Sequence, residues 1–154
     1  MNTAIETYTP STGASATLQI LKSALTALSD GRISQVVDFF DDRFTFDDQA
    51  LKLRFTDKER LNEFFRKARE LFTDAVLEVL STFECGDHVI AEWKINATEA
   101  VRYGSLQLRL PISYQGASIV RIEDERITSW SDYYDQNTSH RFRLGAFFTE
   151  WIEY

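Results

Sequence analysis

Two periodicities divide this chain. Through about residue 72, apolar positions recur mainly every three or four residues; beyond it they alternate. Leu18, Leu21, Leu25 and Leu28 predict a helix over 17–29, with Gly31 placed to cap its C-terminal end. Ile33, Val36, Val37 and Phe40 predict a short second helix ending near Asp41 and Asp42. Phe44 to Asp48 alternates as a strand, and Leu51 to Phe55 extends it past a bend. Thr56 and Glu59 form a capping-box pattern that opens a long helix. Its buried stripe is Leu61, Phe64, Phe65, Ala68, Leu71 and Phe72.

The alternating half begins at Val76. A strand over 76–85, a Gly86-Asp87 turn and a strand over 88–98 form a hairpin. Residues 99–109 are less regular, although Leu106, Leu108 and Leu110 alternate; Pro111 marks an edge or a bulge. The stretch GASIVRIEDERITSWSDYYD, residues 116–135, then gives a strand, a tight turn and a second strand. Trp130, Asp132 and Tyr134 fall on one face of that last strand. Phe142, Phe147, Phe148, Trp151 and Ile152 make a C-terminal apolar segment that needs something to cover. Residues 1–14, rich in Thr, Ser, Ala and Gly, are expected to be a flexible tail, and 15–154 a single domain. Three helices with an early strand among them, followed by long antiparallel strands, define an α+β architecture with helices on one face of a curved sheet.

Composition narrows the functions. The 154 residues carry a formal net charge of −7, which disfavours nucleic acid and anionic membranes as partners. No apolar run is long enough to span a bilayer, and the polar start lacks the regions of a signal peptide, so a cytoplasmic location is expected. The single cysteine, Cys85, excludes an internal disulfide and reads as a small buried residue. His88 and His140 have no companion ligands at metal spacing, and there is no Gly-rich phosphate loop; neither a metal nor a cofactor is implied. Twelve Phe and six Tyr are many for this length, enough to line a ligand cavity or simply to fill a core.

The element order and the wording of residues 116–135 resemble the nuclear transport factor 2-like superfamily, most closely its SnoaL-like branch and limonene-epoxide-hydrolase relatives. The resemblance covers roughly Leu18 to Asp135 and is most specific in RITSWSDYYD, residues 126–135. Epoxide hydrolases of this group end the same strand in Trp-Arg-Asp-Tyr-Phe-Asp, with the first Asp catalytic. The resemblance implies a cone-like α+β barrel, a bent sheet around three helices with a deep apolar pocket, commonly a homodimer through the sheet. Trp93 and Ile95 stand where the epoxide hydrolases place an Arg and a second Asp, so their water-activating triad is not recognisable. Ketosteroid isomerases place a base near the end of the first strand, where Asp47 and Asp48 lie; the oxyanion Tyr of their first helix has no counterpart in Ser23-Ala24-Leu25-Thr26. Polyketide cyclases of the SnoaL type need only a shaped pocket and one acid–base Asp, on the strand where Asp132 sits.

Asp132 is therefore the leading candidate acid–base catalyst, because a carboxyl set between aromatic side chains in a cavity is desolvated and its pKa rises. The bland alternative is a carboxylate held by a neighbour such as Arg121, or exposed at the strand end. Asp48 is the candidate second pocket carboxylate, since paired acids in different environments divide roles; the alternative is a turn residue. Phe46, Trp93, Trp130 and Tyr134 are candidate substrate-binding walls, or else ordinary core. Asp135, with Asn137 and Thr138 after it, reads as a cap. The function these residues point to is a cofactor-independent cyclase, isomerase or hydrolase acting on a hydrophobic, polycyclic or ketonic molecule. The alternative is a non-catalytic ligand-binding or dimerisation module.

Overall fold

The computed structural model describes residues 15–103 and 105–139. The expected tail, His140 and the C-terminal apolar segment lie outside the described residues. The order is α1 (Ala16–Ser29), α2 (Ile33–Asp38), β1 (Phe40–Asp48), β2 (Leu53–Phe55), α3 (Lys58–Leu71), β3 (Phe72–Cys85), β4 (His88–Tyr103), β5 (Leu106–Glu123) and β6 (Arg126–Tyr134). A short 3-10 helix at Gln136–Thr138 follows, capped by the Asp135 side chain as expected.

Local signals explain most boundaries. Ser15 caps α1 by accepting from the Leu18 N–H, and its hydroxyl ties that end to Glu84 of β3. At the other end Gly31 takes φ +74°. The Gly31 N–H then reaches the Leu28 carbonyl and the Arg32 N–H the Ala27 carbonyl, which closes the helix. Asp57, not the expected Thr56, caps α3, its carboxylate accepting from the Arg60 N–H. An ionised cap is the stronger acceptor for an exposed helix start. Phe40 leaves the short helix to open β1, and Phe72 leaves the long one to open β3; both are apolar positions that fit either period. Cys85, expected to be buried, is exposed beside the Gly86 turn.

The six strands form one sheet in the order β2-β1-β6-β5-β4-β3. All neighbours run antiparallel except β1 and β6, which are parallel. Residues 51–55 fold back on β1 as a hairpin rather than extending it. The irregular 99–109 stretch belongs to the long β4–β5 ladder, which runs unbroken from His88–Arg121 to Tyr103–Leu106. Pro111 sits where β5 pairs with β4 alone, because β6 reaches only as far as Gly116. Asp124 and Glu125 both take positive φ in the two-residue turn between β5 and β6, the backbone that suits a right-twisted hairpin.

The helices pack against the inner face of this curved, unclosed sheet. One core cluster joins Leu21, Leu25, Val36, Leu61, Phe64 and Phe65 from the helices to Phe40, Phe46, Val120 and Trp130 from the sheet. A smaller cluster gathers Trp93, Ala97, Ile112 and Tyr114. Gly116 lies opposite Trp93 across the β4–β5 ladder, and the indole occupies the space a side chain would need. A Cβ at Gly116 would lie 2.5 Å from Trp93 Cη2 and 2.6 Å from the Tyr133 carbonyl oxygen. The carbonyl cannot yield, so Gly116→Ala is expected to lower stability by about 1–3 kcal/mol, the usual cost of overpacking. Urea unfolding measures this, with loss of the tryptophan near-UV circular dichroism marking displacement of Trp93.

Candidate functional site

Sheet register builds the site. Successive inward positions form cross-strand rows. One is wholly apolar: Val89, Val120, Trp130, Phe46 and Phe55. The next row is Ala91, Ser118, Asp132, Asp48 and Leu53, with three polar residues at its centre. Beyond it Trp93, Gly116 and Tyr134 form a third. The parallel β1–β6 pairing thus sets Asp48 beside Asp132, each facing the helices.

A hydrogen-bonded chain fixes Asp132. Trp93 Nε1–H donates to Ser118 Oγ at 2.9 Å, and the Ser118 hydroxyl donates to Asp132 Oδ1 at 2.5 Å. Trp130 Nε1–H donates to the same Oδ1 at 2.5 Å. Asp132 Oδ2 has no protein partner among the described residues. Asp48 is held differently. Its Oδ1 accepts from the Leu51 N–H and its Oδ2 from the Tyr134 hydroxyl, each at 2.8 Å.

Between the sheet and the helices lies a cavity of about 190 Å³. Asp48, Ser118, Asp132, Trp93, Trp130 and Tyr134 line its sheet side, and Leu25, Phe64 and Arg69 are among those on the helix side. Asp132 is half-buried, while Asp48 is only 4% exposed. Desolvation pushes the Asp132 carboxyl from 3.8 up to about 7; bonds from Ser118 and Trp130 oppose the rise, and the Asp48 charge adds to it. Desolvation also raises Asp48, against the pull of its bonds from Leu51, Tyr134 and Ala50. Burial and the two carboxylates raise the Tyr134 phenol, so it stays a neutral donor.

Five of the six residues singled out in the sequence therefore meet at one cavity: Asp132, Asp48, Trp93, Trp130 and Tyr134. Phe46 does not line it. Its ring lies behind the wall, against Phe40, Phe55, Phe64, Phe65 and Trp130. Arg121 holds Asp87, not Asp132, at 2.6 Å, on the outward side of β5. Asp47 also points outward, in a two-point pair with Arg54. Ser118 was missed, yet it left a signal: a lone hydroxyl in the inward series Gly116, Ser118, Val120, Ile122. Tyr114 and Arg69 were missed because nothing local marks them.

The SnoaL-like domain family matches residues 21–130. The chain belongs to this family. Among solved structures, a protein with a ketosteroid isomerase-like fold from Catenulispora acidiphila, in complex with trimethylamine, is 20% identical with a TM-score of 0.67. That match covers 78% of this chain and 88% of the other. A protein from Shewanella putrefaciens described as a SnoaL-like polyketide cyclase is 13% identical with a TM-score of 0.72, covering 82% and 94%. An LEH-like epoxide hydrolase of M. tuberculosis is 17% identical with a TM-score of 0.63, covering 84% and 88%. At these identities the likeness is one of fold. No curated protein matches the chain by sequence. Within the family frame, β4 of this SnoaL-like domain turns Trp93 and Ile95 to the cavity and leaves Glu92 outside, bound by Ser81.

The raised Asp132 pKa has a consequence for folding. The native state favours the protonated carboxyl, so this contribution to stability is complete below about pH 4 and is lost as pH rises through about 7. Asp48, also raised, acts with the same sign. The lowered surface acids Asp42 and Asp87 act oppositely, but only in more acidic solution. The melting temperature is therefore expected to fall between pH 5 and pH 8. Asp132→Asn, which keeps an acceptor for Ser118 and Trp130, is expected to flatten that fall and to melt above the unmutated protein at pH 8. Differential scanning fluorimetry across that range checks both.

Proposed function

We propose that this SnoaL-like domain is an acid–base enzyme for a compact apolar substrate, with Asp132 as the proton-transferring group. The observation that carries this reading is the asymmetry of the Asp132 carboxyl. One oxygen is anchored by Ser118 and Trp130, and the other has no partner among the described residues beside an apolar cavity. A base that abstracts a proton from carbon needs such a fixed orientation and a pKa near the working pH. The ionised Oδ2 takes a proton from the carbon alpha to a carbonyl, and the acid so formed returns it to the developing enolate at carbon or oxygen. This chemistry needs no cofactor. Desolvation keeps Asp132 basic, and Asp48, fixed by Leu51 and Tyr134, adds its neighbouring charge; Trp93, Trp130 and Tyr134 orient the substrate and exclude water.

Cavity size favours one ring over a polycyclic skeleton. Cavities of roughly 150 Å³ take benzene, so 190 Å³ suits a single ring with small substituents. The neighbour crystallised with trimethylamine also supports a small-molecule site in a fold of this kind. The test is hydrogen–deuterium exchange alpha to the carbonyl of substituted cyclohexanones, followed by NMR in heavy water. The rate is expected to rise with an apparent pKa near 7. Asp132→Asn is expected to lower it by a factor on the order of 10² to 10⁴. A flat profile, or a variant as fast as the parent, would overturn the assignment.

A second reading, a ligand-binding module without chemistry, is favoured by the inward Trp93 and Ile95, which leave Asp132 no Arg–Asp companion on β4. Binding of the same ketones with no exchange would select it. Among the described residues no helix is long and apolar enough to cross a membrane.

Homodimerisation through the outer sheet face belongs to the same proposal. Phe83, Ile90 and Ile119 are adjacent across β3, β4 and β5 and are 58%, 37% and 38% exposed. A contiguous apolar row of this kind on a sheet suits burial against a second copy. Light scattering is expected to give twice the chain mass, and Ile119→Glu to give the monomer with its fold intact.

A further inference from the structure

The two cavity acids lack the ion pairs made by several other acids of the domain. Asp30, Asp42, Asp47, Asp87 and Glu70 each have a basic partner within 4 Å. Asp48 and Asp132 have none among the described residues; their partners are neutral donors. They are direct neighbours across the β1–β6 ladder. Beside them stands a continuous aromatic wall. Phe72 meets Tyr114 at 5.6 Å between ring centres, Tyr114 meets Tyr134 at 5.8 Å, and Tyr134 meets Trp93 at 6.1 Å. All four rings line the cavity, with Trp130.

Like charges side by side in an apolar cavity repel, and a cation placed between them offsets both the repulsion and the desolvation cost. Aromatic faces carry negative potential and attract a desolvated ammonium, best from tryptophan. Among the described residues, the only basic side chain on the wall is Arg69, on α3 across the cavity. Its guanidinium donates to the Ser29 carbonyl oxygen at the end of α1 and lies against Gly31, a position given to closing that helix end.

We propose that the cavity's natural ligand carries a protonated amine, the ammonium seated between the Asp48 and Asp132 carboxyls and the aromatic wall, on a body the size of one ring. This rests on the small-molecule reading above and names its substrate class.

The sign of the pH dependence separates this class from a neutral one. Among the described residues, the titratable and charged groups facing Asp132 are Asp48 on β1, Tyr134 on β6, Tyr114 on β5 and Arg69 on α3; Tyr134 stays neutral at working pH. A cation prefers ionised Asp132, so its affinity rises with pH through about 7 and its binding releases a proton below that. A neutral carbonyl prefers protonated Asp132 as a donor and weakens over the same interval.

The experiment is isothermal titration calorimetry with N,N-dimethylcyclohexylamine and its neutral counterpart acetylcyclohexane, from about pH 5.5 to about pH 8, in two buffers of different ionisation enthalpy. The amine is expected to bind more tightly than the ketone by on the order of tenfold at pH 7.5, with affinity increasing with pH. Asp132→Asn and, separately, Asp48→Asn are expected to remove most of that preference. Amine affinity that falls with pH, or a preference for the ketone, overturns the proposal while leaving the acid–base reading intact. Binding of neither compound overturns both.

Discussion

The parallel alignment of β1 with β6 is the constraint on which the site depends. It sets Asp48 level with Asp132 and Phe46 level with Trp130, so a polar row and an apolar row lie side by side on the inner sheet. A slip of one residue in either strand would exchange inward and outward faces. Asp47, paired with Arg54 on the outer face, would then face the core, and Asp48 would lose Tyr134 and Leu51. The apolar row opposes that slip. Trp130 stacks on Phe40 at 6.0 Å, and Phe46 meets five aromatic rings, so any shift exposes large surfaces.

Within this frame Gly116 and Ser118 give the carboxyl its orientation. The missing side chain at Gly116 lets the Trp93 indole lie across β5, and its N–H reaches Ser118. Ser118 then has its oxygen satisfied and its proton free to donate to Asp132. Two tryptophan N–H groups, one through the serine and one direct, thus act on the same oxygen. The arrangement spends stability: an acid kept among apolar side chains at neutral pH opposes folding. Such local conflict is expected where a fold carries chemistry, because the same desolvation that destabilises the carboxylate makes it basic.

The chain announces its elements through local chemistry. Gly31 and Ser15 set the limits of α1, and the stripe of Leu61, Phe64 and Phe65 orients α3. Alternation in residues 126–134 correctly sets Trp130, Asp132 and Tyr134 on one face. Where local reading erred, two patterns were equally satisfied. Phe40 fits the last turn of a helix or the first step of a strand, and tertiary pairing with Ile127 decided for the strand. Phe46 has the same inward parity as Asp48, but parity distinguishes only inside from outside. Whether an inward ring meets a cavity or a neighbour depends on what the helices bring, and Phe64 and Phe65 fill that space.

By itself, then, the sequence determined the main helices, most of the strands and the face each strand residue takes, because these follow from spacing along a single segment; the family showed in a resemblance of element order and wording. Only the tertiary structure decided that Asp48 stands next to Asp132, that Ser118 and Trp93 complete the chain of bonds, and that the cavity measures about 190 Å³. Those are relations between segments far apart in the chain. They are set by ladder register and by packing volume, which sum over many weak contacts and leave no mark at any one position.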